Sequence, residues 1–168
     1  QPAEIRQYDE LVISGGGNLG DYYPLCFQAR RKALDTGLPV TVLPQSVINK
    51  QEEFERYKTV YVRERASYEL IQDRCNAVLS PDLALGLPDP WVMQPRRYSL
   101  GVLLRKDSES LFQDQSLSLG DPTKICETPE QLLSLVSGFE QIVTDRLHTA
   151  IAGLIMGIQV FLLPNSYH

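Results

Sequence analysis

Cysteine, histidine and tryptophan are all scarce in this chain, with three, two and one in 168 residues. Cys26, Cys75 and Cys126 are odd in number, far apart and without a C-x-x-C pair, which argues against a disulfide framework and a thiolate zinc site. A reducing, cytoplasmic setting and no bound metal or cofactor are expected. Basic residues are not concentrated: the net charge is -5, and Arg30, Arg31 and Lys32 form the only basic run, expected on a solvated helix face. That distribution argues against a nucleic-acid partner, because neutralising a phosphate backbone needs clustered Lys and Arg. No apolar run approaches the roughly 20 residues that cross a bilayer, so no membrane span is expected and any membrane contact would be peripheral. The chain opens at Gln1 without a leader-like segment and stops at His168 behind an apolar run, the pattern expected of an internal fragment.

What is present is an alternation of short apolar runs with amphipathic stretches. Residues 10–14 read as a strand, followed by a glycine loop and a helix over 23–36 whose Leu25, Ala29 and Ala33 form a stripe for packing on a sheet. Gly37 stops that helix. Strands are predicted at 40–43, 59–62 and 77–79, with helical stretches at 52–57 and 67–73 between them. Pro81, Pro88, Pro90 and Pro95 then interrupt regular structure, and a linker is placed at 86–97. The second half restarts with a strand at 100–104 and an exposed polar loop at 106–122. Thr128, Pro129 and Gln131 mark a helix start with a capping box. A strand at 141–144, a helix at 146–156 and a strand at 160–163 complete a β-α-β unit, with Gly157 as the helix stop. Strands alternating with helices imply parallel sheets joined by right-handed crossovers, and two such sheets would flank a cleft.

Three places carry candidate chemistry. Gly15 to Asp21 follows a strand and opens a helix, so its N–H groups suit an anion, and Gly15, Gly17 and Gly20 satisfy G-x-G-x-x-G. A dinucleotide fingerprint needs an acidic residue at the end of the next strand, but Leu43-Pro44-Gln45-Ser46 stands there. A purely structural glycine turn is the other reading. Asn18 and Asp21 can orient a sugar hydroxyl or cap the following helix. Thr144-Asp145-Arg146-Leu147-His148 lies where a strand hands over to a helix. Asp145 is the expected cap, and a guanidinium, an imidazole and a helix N-terminus fall within one turn. His148 also shares the face of Ile151, Ala152 and Ile155, so a core histidine is an equal reading; His168 has no identifiable role. Arg105 ends a strand and precedes Lys106, Asp107 and Glu109, either as a ligand contact at the carboxyl edge of a sheet or in a solvated loop.

Taken in order, G-G-G-N-L-G-D, L-P-Q-S, V-R-E-R-A-S, S-P-D-L-A, L-L-R-K-D, T-D-R-L-H and the terminal L-P-N-S-Y-H resemble the polysaccharide pyruvyl transferases from about Asp9 to His168. The resemblance implies an α/β fold of two Rossmann-like parallel-sheet halves, glycosyltransferase-B-like and truncated at both ends. It divides the chain into an acceptor-side domain, 1–90, and a phosphoenolpyruvate-side domain, 91–168. The chain departs from that family's pattern in its short stretch between Arg105 and Asp145, where one β-α unit is expected to be reduced or lost. The implied activity is transfer of the enolpyruvyl group of phosphoenolpyruvate, a co-substrate, onto a sugar or lipid-linked oligosaccharide to leave a pyruvate ketal. By resemblance Arg146 and His148 hold the donor, with His148 as acid/base, Arg105 reaches the donor, and Asn18, Asp21, Gln45 and Ser46 face the acceptor. No metal ligand is implied. Two other classes stand beside this one: a nucleotide or dinucleotide enzyme using Gly15 to Gly20, and a non-catalytic glycan-binding remnant.

Overall fold

The computed structural model describes residues 7–49, 51–87 and 95–166. The chain divides into two compact units, Gln1–Gly86 and Leu87–His168; residues 88–94, with Pro88 and Pro90 of the expected linker, and His168 lie outside the described residues. Each unit is an α/β layer structure around one parallel sheet.

In the first unit the elements are β1 (Leu11–Ile13), β2 (Gly16–Leu19), α1 (Pro24–Leu34), β3 (Val40–Val47), β4 (Thr59–Val62), α2 (Arg65–Ile71) and β5 (Ala77–Leu79), with short 3-10 turns at Phe54–Arg56 and Leu83–Gly86. The sheet order is β1-β3-β4-β5, and β2 also pairs with β3. β3 offers one edge to β4 and the other to β1 and then β2, which follow one another along it: Leu11 to Ile13 lie against Val40 to Val42, and Gly16 lies against Gln45. Val40, Val42, Val60 and Val62 are fully buried with Leu19, Phe54 and Ile71. Both faces of a parallel sheet are covered, which is why its strands read as unbroken β-branched runs.

The glycine segment therefore differs from expectation. Gly16–Leu19 is a strand, not a loop at a helix N-terminus, and α1 begins only at Pro24. Gly16 and Leu19 pair with β3 and the Gly20 N–H donates to Glu52, so the segment does not form the helix N-terminus that the dinucleotide reading requires. Gly15 is needed because Pro44 sits within β3, where the pairing slips between Val42 and Gln45. A Cβ on Gly15 would stand 2.5 Å from the Pro44 carbonyl oxygen.

Helix α1 also packs by another face than the one predicted. Leu25 is 82% exposed, and Arg30 and Leu34 are the buried residues. Arg30 thus leaves the expected solvated run; Arg31 and Lys32 remain exposed. Asp21 does not cap the helix, since Tyr23 holds the N-cap position with no side-chain cap. Gly37, at φ +77°, follows the helix in the left-handed region, as its role as a stop requires. The helix expected at 52–57 is reduced to the turn at Phe54–Arg56.

The second unit contains β6 (Tyr98–Leu103), α3 (Pro122–Ile125), α4 (Pro129–Ser137), β7 (Phe139–Thr144), α5 (Leu147–Ile155) and β8 (Gln159–Leu162). Its parallel sheet runs β6-β7-β8, with Leu103 beside Thr144 and Thr144 beside Leu162. Leu103, Val136, Ile142, Ala152 and Met156 fill its core. Thr128 caps α4 by accepting from the Gln131 N–H at 3.3 Å. Gln131 completes the box one residue early, accepting from the Glu127 N–H at 2.6 Å instead of from Thr128. The three strands end level, so the residues after each one share a single sheet edge.

Two neighbouring glycines differ in how tightly the fold holds them. Gly15→Ala is expected to lower stability by about 1–3 kcal/mol, the usual range for overpacking, because backbone obstructs its Cβ. Gly16→Ala, whose Cβ would meet only Asn18 Nδ2 at 3.7 Å, is expected to change it far less. Denaturant midpoints of the two variants check this.

Candidate functional site

At the carboxyl edge of the second sheet, β6 delivers Arg105, β7 delivers Asp145 and Arg146, and β8 leads into Asn165 and Ser166. The loop between β6 and α3 folds back over this edge instead of running free. Ser118 Oγ accepts from the Leu104 N–H at 3.3 Å, Gln115 Nε2 donates to the Arg105 carbonyl at 2.7 Å, and the Leu119 N–H donates to Val102 O at 2.8 Å. That return brings Asp121 to Arg146.

Arg146 donates from Nε to Asp121 Oδ1 at 2.6 Å and from Nη2 to Asp121 Oδ2 at 2.7 Å, the bidentate fork that matches a guanidinium to a carboxylate. Its Nη2 also donates to Asp107 Oδ2 at 2.8 Å. Arg105, only 7% exposed and so not in a solvated loop, donates to Asp107 from Nε at 2.7 Å and Nη2 at 3.1 Å, and pairs with Glu109. Asp121 further accepts from the N–H groups of Lys106 at 2.9 Å and Thr123 at 3.1 Å. The structure thus joins the two predicted arginines through a shared carboxylate.

Burial disfavours ionisation of Asp121, but the Arg146 guanidinium and the Lys106 and Thr123 N–H groups outweigh it and hold the carboxyl well below its ordinary range. Asp107 is lowered likewise, burial being overcome by Arg105, the Glu109 N–H and Arg146. Both arginines are raised, their burial offset by these same carboxylates.

Asp145 is not the helix cap. Arg146 occupies the N-cap position of α5 without a side-chain cap, while the buried Asp145 accepts from the Arg105 N–H at 2.8 Å and so ties β6 to β7. His148, in the first turn of α5, is exposed, while Ile151 and Ala152 are buried and Ile155 is half-buried. The core-histidine reading is therefore set aside: the imidazole lies on the solvent side of its helix.

In the first unit Asn18 Oδ1 accepts from Arg30 Nη1 at 3.1 Å, and Asp21 accepts from Asn49 Nδ2 at 2.6 Å. Arg30 is buried against Glu52, whose carboxylate also accepts from the Gly20 N–H at 2.9 Å and the Tyr57 hydroxyl at 2.7 Å. Ser46 accepts from Arg63 Nε at 2.9 Å and donates to Glu64 at 3.0 Å. Gln45 is fully buried, and among the described residues neither end of its amide has a hydrogen-bond partner. Asn18 and Asp21 stand nearer solvent; Gln45 and Ser46 lie beneath the surface.

The sequence reading passed over Asp107 and Asp121 as loop residues, and over Asn165 and Ser166, which bond the Asp145 and Glu109 carbonyls at 2.9 Å and 3.1 Å. The one local signal was Asp121-Pro122-Thr123, a cap followed by proline at the first helical position. Among the described residues no group of three or more His, Cys, Asp or Glu is arranged to hold a metal ion, and no helix is long and apolar enough to cross a membrane.

Two parallel-sheet units with polar clusters at their carboxyl edges define an α/β protein of the kind that places ligands beyond strand ends. Within that class the chain belongs to the polysaccharide pyruvyl transferase family, whose profile matches residues 2–167. It is 25% identical over 204 residues to General stress protein 30 of Bacillus subtilis, spanning 97% of this chain and 59% of that protein. A functionally uncharacterised protein from Klebsiella pneumoniae superposes with a TM-score of 0.70 at 18% identity, over 94% of this chain and 66% of the other. The chain thus spans less than two thirds of both relatives.

Asp121→Asn is expected to lower stability by about 3 kcal/mol near neutral pH, as breaking a buried pair does. Because the carboxyl titrates lower in the folded chain than in the unfolded one, its stabilisation is complete above about pH 4 and is lost as pH falls below that. Denaturant unfolding of both proteins across that range should show the gap closing in acid.

Proposed function

We propose that this chain carries the donor and acceptor sites of a pyruvyl transferase that converts phosphoenolpyruvate and two hydroxyls of one sugar, in a polysaccharide or its lipid-linked precursor, into a pyruvate ketal and phosphate. Family membership supports the transferase class. The observation that carries the site is the tie of Arg105 and Arg146 through Asp107 on a sheet edge where His148 is exposed.

In this reading the second unit is the donor side. Arg105 and Arg146 bind the carboxylate and phosphate of phosphoenolpyruvate; both Nη1 groups are outside the carboxylate forks, leaving donors for a ligand. The N-terminus of α5 adds positive potential. His148, as imidazolium, gives its proton to the methylene carbon of the donor, and the electrons of that double bond form the new C–H bond. The adjoining carbon becomes electrophilic, a sugar hydroxyl oxygen adds to it, and its proton returns to the imidazole. The C–O bond to phosphate then breaks, phosphate departs with the bonding pair, and a second hydroxyl closes the ketal as its proton is released.

The first unit is the acceptor side. Asn18 and Asp21 face the sugar, while the buried Gln45 and Ser46 support the acceptor site from within the end of β3. No step calls for a cofactor, and phosphoenolpyruvate as donor puts the proposed reaction in the cytoplasm, with a lipid-linked acceptor drawing the protein to the membrane surface.

Incubation with phosphoenolpyruvate and a panel of sugars is expected to release phosphate and give a ketal detectable by mass. A folded His148→Ala protein is expected to lose about 100- to 10,000-fold in rate, the usual contribution of a positioned general acid. Phosphate release at the wild-type rate by that variant would remove His148 from the chemistry, and glycan binding without turnover would mark a non-catalytic binding protein.

A further inference from the structure

Two guanidiniums at the edge of the second sheet are met by three carboxylates, and the three are not equivalent. Among the described residues Asp121 serves Arg146 alone of the arginines, and its side chain is 1% exposed. Among the described residues Glu109 pairs with Arg105 alone. Asp107 touches both: Oδ1 accepts from Arg105 Nε at 2.7 Å, and Oδ2 accepts from Arg105 Nη2 at 3.1 Å and Arg146 Nη2 at 2.8 Å. Its remaining contact is the Glu109 N–H, 3.1 Å from Oδ1. Its side chain is 41% exposed.

We propose that Asp107 is a built-in competitor for the donor, spanning Arg105 and Arg146 as the donor's own anionic group would and giving way when that group arrives. The inference rests on the donor reading above. Each arginine keeps a carboxylate of its own when Asp107 leaves, Glu109 for Arg105 and Asp121 for Arg146, so the guanidiniums stay in place. An exposed ion pair is weakly held, whereas a buried one is hard to break, so Asp107 is the member that exchanges. The charge balance points the same way. Counting the guanidiniums and the carboxylates paired with them, Asp107 makes three anions against two cations and opposes an incoming anion; with Asp107 displaced, that count is two against two. In the free protein Asp107 then serves as a positioning residue, keeping two like charges together at the spacing the donor uses.

The test is the affinity of the whole chain for phosphoenolpyruvate, measured by calorimetry, in wild type, Asp107→Asn, Asp107→Ser and Glu140→Gln. Glu140 is exposed at the opposite end of β7 and gives the same charge change away from the site. Removing a like charge a few ångströms from the ligand is expected to tighten binding about tenfold in both Asp107 variants, with Glu140→Gln unchanged. A structural lesion weakens binding, so tightening separates a competitor from a merely structural residue. Folded Asp107 variants that bind no tighter than wild type overturn the inference even if wild type makes ketal, leaving the function standing. Equal tightening by Glu140→Gln also overturns it, reducing the effect to net charge. If neither wild type nor the variants bind phosphoenolpyruvate, the donor reading fails and takes this inference with it.

Discussion

The carboxylate of Asp121, buried and gripped by Arg146, is the contact on which the geometry of the second unit turns. A guanidinium near a sheet edge has many rotamers, and fixing one of them takes a partner that cannot itself move. Asp121 is such a partner because its oxygens are held from three sides, by Arg146, the Lys106 N–H and the Thr123 N–H. It also begins α3 and follows the loop that lies along β6. One side chain therefore sets the loop path, the start of a helix and the direction of an arginine. Asp145 does the corresponding work on the other side of Arg146, joining β7 to the backbone of Arg105.

The first unit uses the same device and seals it. Arg30 and Glu52 are 3% and 1% exposed, and Gly20, Asn18 and Tyr57 satisfy what the pair leaves over. A buried ion pair contributes to specificity of arrangement only when its remaining hydrogen-bonding capacity is met. Here it is met, and the result anchors α1 and the 52–57 segment to the end of β2. The burial of Tyr57, with the Glu52 charge beside it, pushes its phenol far above the ordinary range, so it stays a donor to Glu52. The two clusters differ in access: the Arg30 pair is closed to solvent, while the second cluster opens to it through Asp107, whose side chain is 41% exposed.

Much of this architecture was legible because parallel sheets bury both faces. Val40, Val42, Val60 and Val62 announce strands by residue type alone, and Thr128, Pro129 and Gln131 announce a helix start through local hydrogen bonds. What was missed depends on long-range contacts. Arg146 meets Asp107 and Asp121 across 39 and 25 residues, and no local pattern encodes either pairing. Arg30 looked like a surface charge because its partner Glu52 lies 22 residues on. The glycine segment misled for a different reason: glycine permits a phosphate loop and a close backbone approach equally well, and only the neighbour decides between them.

That neighbour is Pro44, and its presence within β3 explains several features together. Proline has no N–H for the ladder, so a strand that carries it must bulge or break at that point. β3 does so against β4, advancing three residues from Val42 to Gln45 while β4 advances two from Val60 to Val62. On the other edge Ser14 and Gly15 part β1 from β2 opposite the same step, and Gly15 admits the Pro44 carbonyl where any Cβ would collide. Gln45, the first residue past the step, is left buried with no amide partner among the described residues, and each unmet group of that kind costs about 1–3 kcal/mol. The sheet edge that carries Asn18, Gln45 and Ser46 is thus built at the expense of local stability. The edge that carries Arg105 and Arg146 is instead reinforced by its own carboxylates.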